Sequence, residues 1–266
     1  MEFLKLVRRR TFLSELIYMV LNIGLAIALA TVIWYTESVP LALALVLISK
    51  WRVLAVRPRF WFANLRSNLV DFIVSVSVVL HMYTINMANI DESRKLIVLG
   101  VLTLLYIAWL LFLKPRSKRH YVAAQAGVAL LLGVAALFTI SYNWPVSVVV
   151  IGMWVIGYAS ARHVLSTYDD ETHGLFLSLA WGVTLAEIGW VAYHWTIAYS
   201  LPFITTLLVP QVAIISVLAG FLAYKAYDSF SHHSKIRTND IILPLLFTLS
   251  VIAVLVFVFN RVGTTI

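Results

Sequence analysis

Two ionisable residues interrupt the apolar stretch of residues 175–199. Glu187 lies at the middle of this stretch, and His194 follows it about two helical turns later. A charged carboxylate at the centre of a bilayer costs about 2.5–3.5 kcal/mol, so Glu187 is expected to face protein or water rather than lipid. Ionisable side chains inside a membrane usually bind or relay a solute or a proton. Residues 175–199 are therefore the first candidate for a site.

Other polar residues fall at a similar depth of the predicted helices. Helical spacing places Thr184, Glu187 and His194 on one stripe. Gln211 in the next predicted span and Asn22 in the first are also near mid-membrane. These five residues form the predicted ligand or proton site. The alternative is a purely structural cluster, since Asn and Gln commonly hold membrane helices together through hydrogen bonds.

A second polar stripe comprises Asp71, Ser75 and His81. Asp71 is close to the end of its predicted span, so it can meet water or pair with Arg66 or Arg52. His81 and His194 fall at similar depth, but a haem between them would need a matched pair and a cavity, and nothing else in the sequence supports it. The sequence leaves the cofactor unknown.

One acidic loop contains weak candidates for metal ligands, namely Asp169, Asp170, Glu171 and His173. Oxygen-rich loops can hold Mg²⁺, and nearby basic residues would attract a phosphorylated substrate. Acidic residues are equally favourable just before a helix, where they interact with its dipole. The sequence predicts no catalytic residue, and it leaves open whether the protein is an enzyme.

The composition indicates the kind of secondary structure that positions these residues. Of 266 residues, 62% are hydrophobic and 12% are charged, whereas a soluble domain is about 25% charged. Apolar runs of about 17–25 residues indicate spanning helices, because lipid offers backbone groups no hydrogen-bond partner. The absence of Cys excludes disulfides and thiolate metal sites. We predict an all-α, polytopic transmembrane bundle in one domain, residues 1–266.

The apolar runs predict about nine spans. Residues 50–68, which are basic and aromatic, are expected to lie at the head-group level. Only residues 200–202 separate the seventh span from the eighth, in which Pro210 is expected to form a kink. The fifth span carries a face of small residues, which predicts a central position in the bundle. The spans are residues 12–34, 39–49, 69–86, 96–113, 121–140, 145–161, 175–199, 203–227 and 241–259.

The distribution of basic residues predicts the orientation. With nine crossings, every Lys and Arg except Arg94, Lys95 and Arg261 falls on one side. The positive-inside rule then places the N-terminus inside and the C-terminus outside a cell (plasma or inner) membrane. The net charge of +8 accordingly predicts contact with the lipid bilayer and its anionic head groups rather than with nucleic acid.

Three functions are compatible with these patterns. The first is a carrier, channel or sensor for a small solute or proton, with its site around Glu187. The second is a structural or accessory subunit of a membrane complex, in which helix-packing partner subunits cover part of the bundle. The third is an enzyme that acts on lipid-linked phosphates at the inner face. Whether Glu187 faces a cavity or a closed interface distinguishes the first function from the second.

Overall fold

Long helices account for most of the fold. The structure is a computed structural model that describes residues 12–55, 57–195, 197–201 and 204–259. The helices are α1 (Phe12–Thr36), α2 (Val39–Ser49), α3 (Trp51–Leu54), α4 (Trp61–Ser67), α5 (Leu69–Met87), α6 (Glu92–Ala108), α7 (Arg119–Ile140), α8 (Val146–Leu165), α9 (Gly174–His194), α10 (Gln211–His233) and α11 (Thr238–Ala253). A 3₁₀ turn, Pro58–Phe60, precedes α4.

Two helices end in wider turns. In the segments Trp109–Leu113 after α6 and Val254–Val258 after α11, the helix widens to a π-type turn. The Lys114 N–H donates to the Trp109 carbonyl at 2.8 Å, five residues back.

Eight of the helices are long and apolar enough to cross a membrane. They are α1, α5, α6 with its π turn, α7, α8, α9, α10 and α11 with its π turn. The apolar helix α2 has 11 residues and is therefore about 16 Å long. Pro40 lies in its first turn, and the Ser38 hydroxyl accepts a hydrogen bond from the Leu41 N–H. Whether α2 is a ninth crossing stays a prediction.

The two ends of the bundle differ in the residues that meet there. At one end, Lys50 after α2 and Lys114 after α6 both reach Asp71 near the start of α5. Arg119 at the start of α7 pairs with Asp228 near the end of α10. We call this the basic end. The opposite end, where α9 is followed by a β-hairpin, is the hairpin end.

A β-hairpin changes the predicted bounds of two spans. Strand β1 (Ala198–Leu201) pairs antiparallel with β2 (Ile204–Pro210), a short exception in a structure whose described residues are mainly helical, as predicted. The predicted seventh span, residues 175–199, ends at His194, and the predicted eighth span, 203–227, begins instead at Gln211.

Pro210 explains where the eighth span begins. It lies immediately before α10 and is the register partner of Ala198, so it forms no kink inside a helix. Proline fits a helix start because it lacks an N–H and disfavours helical geometry in the residue before it. The Ile-Thr-Thr run at the start of β2 is β-branched, which favours a strand.

Two hydrophobic cores fill the bundle. The first comprises buried residues of α1, α2, α5 and α6 with its π turn, together with Ala129 of α7. The second comprises buried residues of α7, α8, α9 and the start of α10. Ile73 of α5 packs against both cores. The small-residue face of α7 is buried as predicted, at Ala126, Ala129, Gly133 and Ala136. Close approach is visible at Gly133, where an added Cβ would lie 2.7 Å from Ile73.

Candidate functional site

Glu187 lines a cavity of about 430 Å³ near the hairpin end. The cavity lies between α9 and α10, with Val256 of the last π turn on a third side. Gln211, the first residue of α10, lines the same cavity. The rest of its lining is apolar apart from backbone groups. The structure therefore brings two of the five predicted site residues to one cavity.

Gln211 is held by three hydrogen bonds. Its side-chain amide donates to the Tyr199 hydroxyl at 2.9 Å and to the Leu255 carbonyl at 2.8 Å. Its backbone N–H donates to the Ile197 carbonyl at 2.7 Å. Burial raises the pKa of Tyr199, so this hydroxyl stays neutral at physiological pH. These bonds fix Gln211 between the hairpin and the end of the last helix.

A second cavity of about 680 Å³ continues along α9 and α10 toward the basic end. Thr184, one turn before Glu187, lines it. Its floor consists mainly of small residues of α7 and α8, including Ala123, Gly127 and Ala161. The small side chains on this floor leave space that larger ones would occupy. We call the two cavities together the α9–α10 seam.

Asn22 and His194 are not among the residues that line the seam. The Asn22 side chain donates to the Tyr18 carbonyl of its own helix at 2.7 Å, and α1 packs against α2, α5 and α6. His194 is exposed beside the rings of Trp190 and Tyr193. The expectation that Asn22 meets the seventh and eighth spans is therefore wrong in this structure.

Asp71 lies in a buried polar network at the basic end. It is only 8% exposed and forms ion pairs with Lys50 and, at 2.9 Å, with Lys114. The Trp109 indole N–H is 3.4 Å from its second oxygen. The prediction of an ion pair is confirmed, but the partners are lysines at the ends of two other helices rather than Arg66. The side chain of Arg52 lies outside the described residues.

The network extends from Asp71 along α5. The Ser75 hydroxyl donates to the Asp71 carbonyl at 2.6 Å and accepts from the Tyr106 hydroxyl at 3.0 Å. His81 lies farther along the same helix and is 6% exposed. Neither of its ring nitrogens has a hydrogen-bond partner of good geometry within the described residues. Asp71 and Ser75 thus belong to one network, from which His81 is separate.

The acidic loop before α9 does not gather into a metal site. Glu171 accepts hydrogen bonds from the Tyr227 hydroxyl and from the His173 N–H. These donors hold the pKa of Glu171 below its usual range. Asp169 and Asp170 are exposed. Over the described ranges, no three His, Asp or Glu side chains lie close enough together to hold a metal ion.

Two polar residues that the sequence analysis overlooked meet between α7 and α8. The Gln125 amide nitrogen donates to the carbonyls of Leu113 and Arg116 at 2.7 and 2.8 Å. Its oxygen lies 2.7 Å from Nε2 of His163. Because the amide nitrogen is the donor to the carbonyls, the oxygen must accept, and His163 therefore carries its proton on Nε2. A lone Gln in the apolar run of α7 is the signal that could have identified the pair.

Comparison of the chain with protein-family models, with curated proteins and with solved structures gives no match. Eight long apolar helices indicate a multi-pass membrane protein.

Proposed function

We propose that this protein is a carrier for a small solute in a cell membrane, and that the solute occupies the α9–α10 seam. The observation that supports this proposal is the position of Glu187, which borders a cavity instead of a closed helix interface. A carboxyl group deep in a membrane is costly unless it serves a partner. The proposed orientation places the basic end in the cytoplasm, in accordance with the positive-inside rule.

The alternative, a structural role for Glu187, has less support. Helix-joining side chains should bond to one another across an interface. Within the described part of the chain, no hydrogen bond joins Glu187 to Gln211 or Thr184. Thr184 donates to the Ala180 carbonyl of its own helix at 3.1 Å. Among the residues that the structure describes, Glu187 therefore has no hydrogen-bond partner that would indicate a structural role.

The lining of the seam indicates the chemistry of the solute. Both cavities are mainly apolar, and Glu187 is the only carboxylate among the residues that line them. Volumes of 430 and 680 Å³ fall within the roughly 300–1,000 Å³ of small-molecule sites. A solute with an apolar body and one positive or hydrogen-bond-donating group would match this arrangement. Its polar group would contact Glu187.

Two sequence features give little help in choosing the function. A kink at Pro210 inside a span would have supported a carrier, because broken helices line the sites of many transporters, but Pro210 precedes α10. The acidic loop gives the lipid-phosphate enzyme little support, since Glu171 is engaged by Tyr227. The proposal therefore depends on the seam alone.

Ethidium, a flat apolar cation, is a suitable probe for this proposal. The purified full-length chain would be reconstituted into liposomes, and ethidium uptake would be followed by fluorescence. We expect uptake above that of protein-free liposomes and its loss in Glu187→Gln, which retains the shape of the side chain but not its charge. Uptake equal to that of protein-free liposomes, or unchanged uptake in Glu187→Gln, would contradict the proposal.

Substitutions at two glycines, one in the seam and one outside it, test whether ethidium passes through the seam. An added Cβ meets nothing within 4 Å at Gly127, on the floor of the seam, or at Gly24 of α1. Gly127→Phe should fill the seam and abolish ethidium uptake. Gly24→Phe, on an exposed face of the other half of the molecule, should retain it. Equal uptake by the two variants would contradict a route through the seam.

A further inference from the structure

A third cavity, of about 770 Å³, opens at the basic end and is separate from the seam. It lies between the segment 114–118, the first turns of α7 and the last turn of α8. The seam uses the opposite sides of α7 and α8, where residues such as Ala123 and Val164 line it. The third cavity is lined by no carboxylate but by four cationic side chains, Lys114, Arg116, Lys118 and Arg119. Gln125 and His163 also line it.

Two of the four cations already have acidic partners outside the cavity. Lys114 is 2.9 Å from Asp71. Arg119 is 3.6 Å from Asp228 and stacks on the ring of Tyr168 at 4.0 Å. Arg116 and Lys118 have no acidic partner among the residues that the structure describes. Within the described ranges, two positive charges at the cavity wall are therefore not paired with a carboxylate.

The segment that carries these charges is fixed by Gln125. Gln125 is only 4% exposed, and its amide nitrogen binds the Leu113 and Arg116 carbonyls. Its oxygen accepts from His163, which ties the segment to α8 as well. A buried amide that satisfies a turn in this way fixes the backbone that carries Arg116 and Lys118 before any ligand arrives.

We propose that this cavity binds a phosphate-bearing anion, with Arg116 and Lys118 as its contacts and Gln125 as a positioning residue. A guanidinium pairs with phosphate oxygens through two parallel hydrogen bonds, and an ammonium adds a point charge. The phosphate belongs either to the head group of an anionic phospholipid or to a soluble phosphate compound. The site at the end of the bundle is accessible to both sources. This inference is independent of the proposed solute carrier.

The test uses the full-length protein in nanodiscs and follows its thermal unfolding by tryptophan fluorescence. One arm uses phosphatidylcholine nanodiscs and titrates inorganic phosphate against chloride at constant ionic strength. The other arm replaces part of the phosphatidylcholine with phosphatidylglycerol and adds no phosphate. We expect a higher unfolding temperature in at least one arm. Stabilisation in the first arm identifies a soluble source, and stabilisation in the second alone identifies a lipid head group.

Variants show whether the effect arises at this cavity. Arg116→Gln with Lys118→Gln changes two exposed side chains, so folding should be unaffected. This double variant should weaken the apparent affinity roughly tenfold or more, because hydrogen bonds to charged groups are strong.

The matched control is Lys235→Gln with Arg237→Gln, two exposed basic residues at the same end but outside the cavity. It should retain the stabilisation. The proposal is overturned if neither arm shows stabilisation or if the control loses as much as the double variant.

Discussion

Asp71 and Glu187 are two carboxylates on long apolar helices, but their surroundings in the two halves of the molecule are opposite in kind. Asp71 lies in the half built from α1, α2, α5 and α6, where two lysines and an indole surround it. Glu187 lies in the half built from α7 to α10, where it borders a cavity. A buried carboxylate with charged partners has a structural role, whereas a carboxylate beside an open cavity is available to bind a ligand.

The packing of each half accounts for this difference. Near Asp71, the side chains of Tyr106 and Trp109 are 1% and 6% exposed and close the core around the polar network. Along the α9–α10 seam, small residues of α7 and α8 form a floor, and the larger side chains, such as Trp181 and Phe221, lie on α9 and α10 and leave the cavity open. Bulky aromatic groups exclude space, and small ones leave it. The comparison predicts different responses to substitution in the two halves.

Removal of the Asp71 carboxylate should give the largest loss of stability. Asp71→Leu leaves the buried ammonium of Lys50 without its acidic partner, and Lys114 loses its partner as well. Breaking a buried ion pair in this way costs about 3–5 kcal/mol of unfolding free energy. Unfolding in mixed micelles with increasing denaturing detergent would measure the loss.

Lys114→Met is the control for this prediction. It removes the more exposed of the two lysines and leaves the Lys50–Asp71 pair intact. Its loss of stability should be clearly smaller than that of Asp71→Leu. Equal losses for the two substitutions would mean that Asp71 is not balanced mainly by Lys50.

Glycine-to-alanine substitutions should distinguish tight packing from the open seam. An added Cβ at Gly189 of α9 would lie 2.4 Å from Met153 Cγ, whereas at Gly127 it meets nothing within 4 Å. Overpacking costs about 1–3 kcal/mol, so Gly189→Ala should destabilise the protein by that amount. Gly127→Ala should stabilise it by about 0.5–1 kcal/mol because alanine favours the helix. The same detergent unfolding compares them, and destabilisation by Gly127→Ala would contradict an open seam.

The sequence predicted the helices well and the hairpin poorly, for one physical reason. An apolar run must become a helix where lipid surrounds it, but residues 204–210, apolar apart from two threonines, pair with β1 instead. Pro210 was visible as a helix disruptor, but the β-branched residues at the start of the same run, Ile204, Thr205 and Thr206, were the better guide.

Partners distant in sequence were harder to predict than helices. Glu187 and Gln211 line one cavity, although Gln211 is the first residue of α10 and not a mid-span residue, as its predicted depth required. Depth along a helix also could not show which helices are neighbours, as Asn22 demonstrates. Lys50 and Lys114 were also at the correct depth for Asp71. Only the packing of α2, α5 and α6 shows that they meet it.

Glu187→Leu should change stability little, in contrast to Asp71→Leu. Glu187 is exposed, lines the cavity and makes no hydrogen bond or ion pair with the described residues. Substitutions at such positions usually change the unfolding free energy by less than about 0.5 kcal/mol. The expected pattern is a stable protein that no longer takes up ethidium. A loss comparable with that of Asp71→Leu would show that Glu187 is structural and would remove the contrast between the two halves.

The smallest expected effect concerns Glu171, a carboxylate of the second half that does have partners. The Tyr227 hydroxyl and the His173 N–H stabilise its ionised form, so its pKa is lower in the folded protein than in the unfolded chain. Its contribution is therefore present above the unfolded pKa of about 4.3 and is lost as the pH falls through the lower folded value. Solvent screening keeps this contribution small, because Glu171 is partly exposed.

Tyr227→Phe should reduce this acid-dependent loss of stability, since it removes the main donor to Glu171. Tyr224→Phe is the control, because it removes a hydroxyl from the same helix without a hydrogen bond to Glu171. Unfolding temperatures measured between pH 3 and pH 6 would compare the variants with the unmodified protein. If Tyr227→Phe and Tyr224→Phe give the same pH profile, the Tyr227 bond does not stabilise the loop. If only Tyr227→Phe has the flatter profile, Glu171 stabilises the fold through its hydrogen-bond donor. Glu187, which has no such donor among the described residues, would then differ from Glu171 in its role.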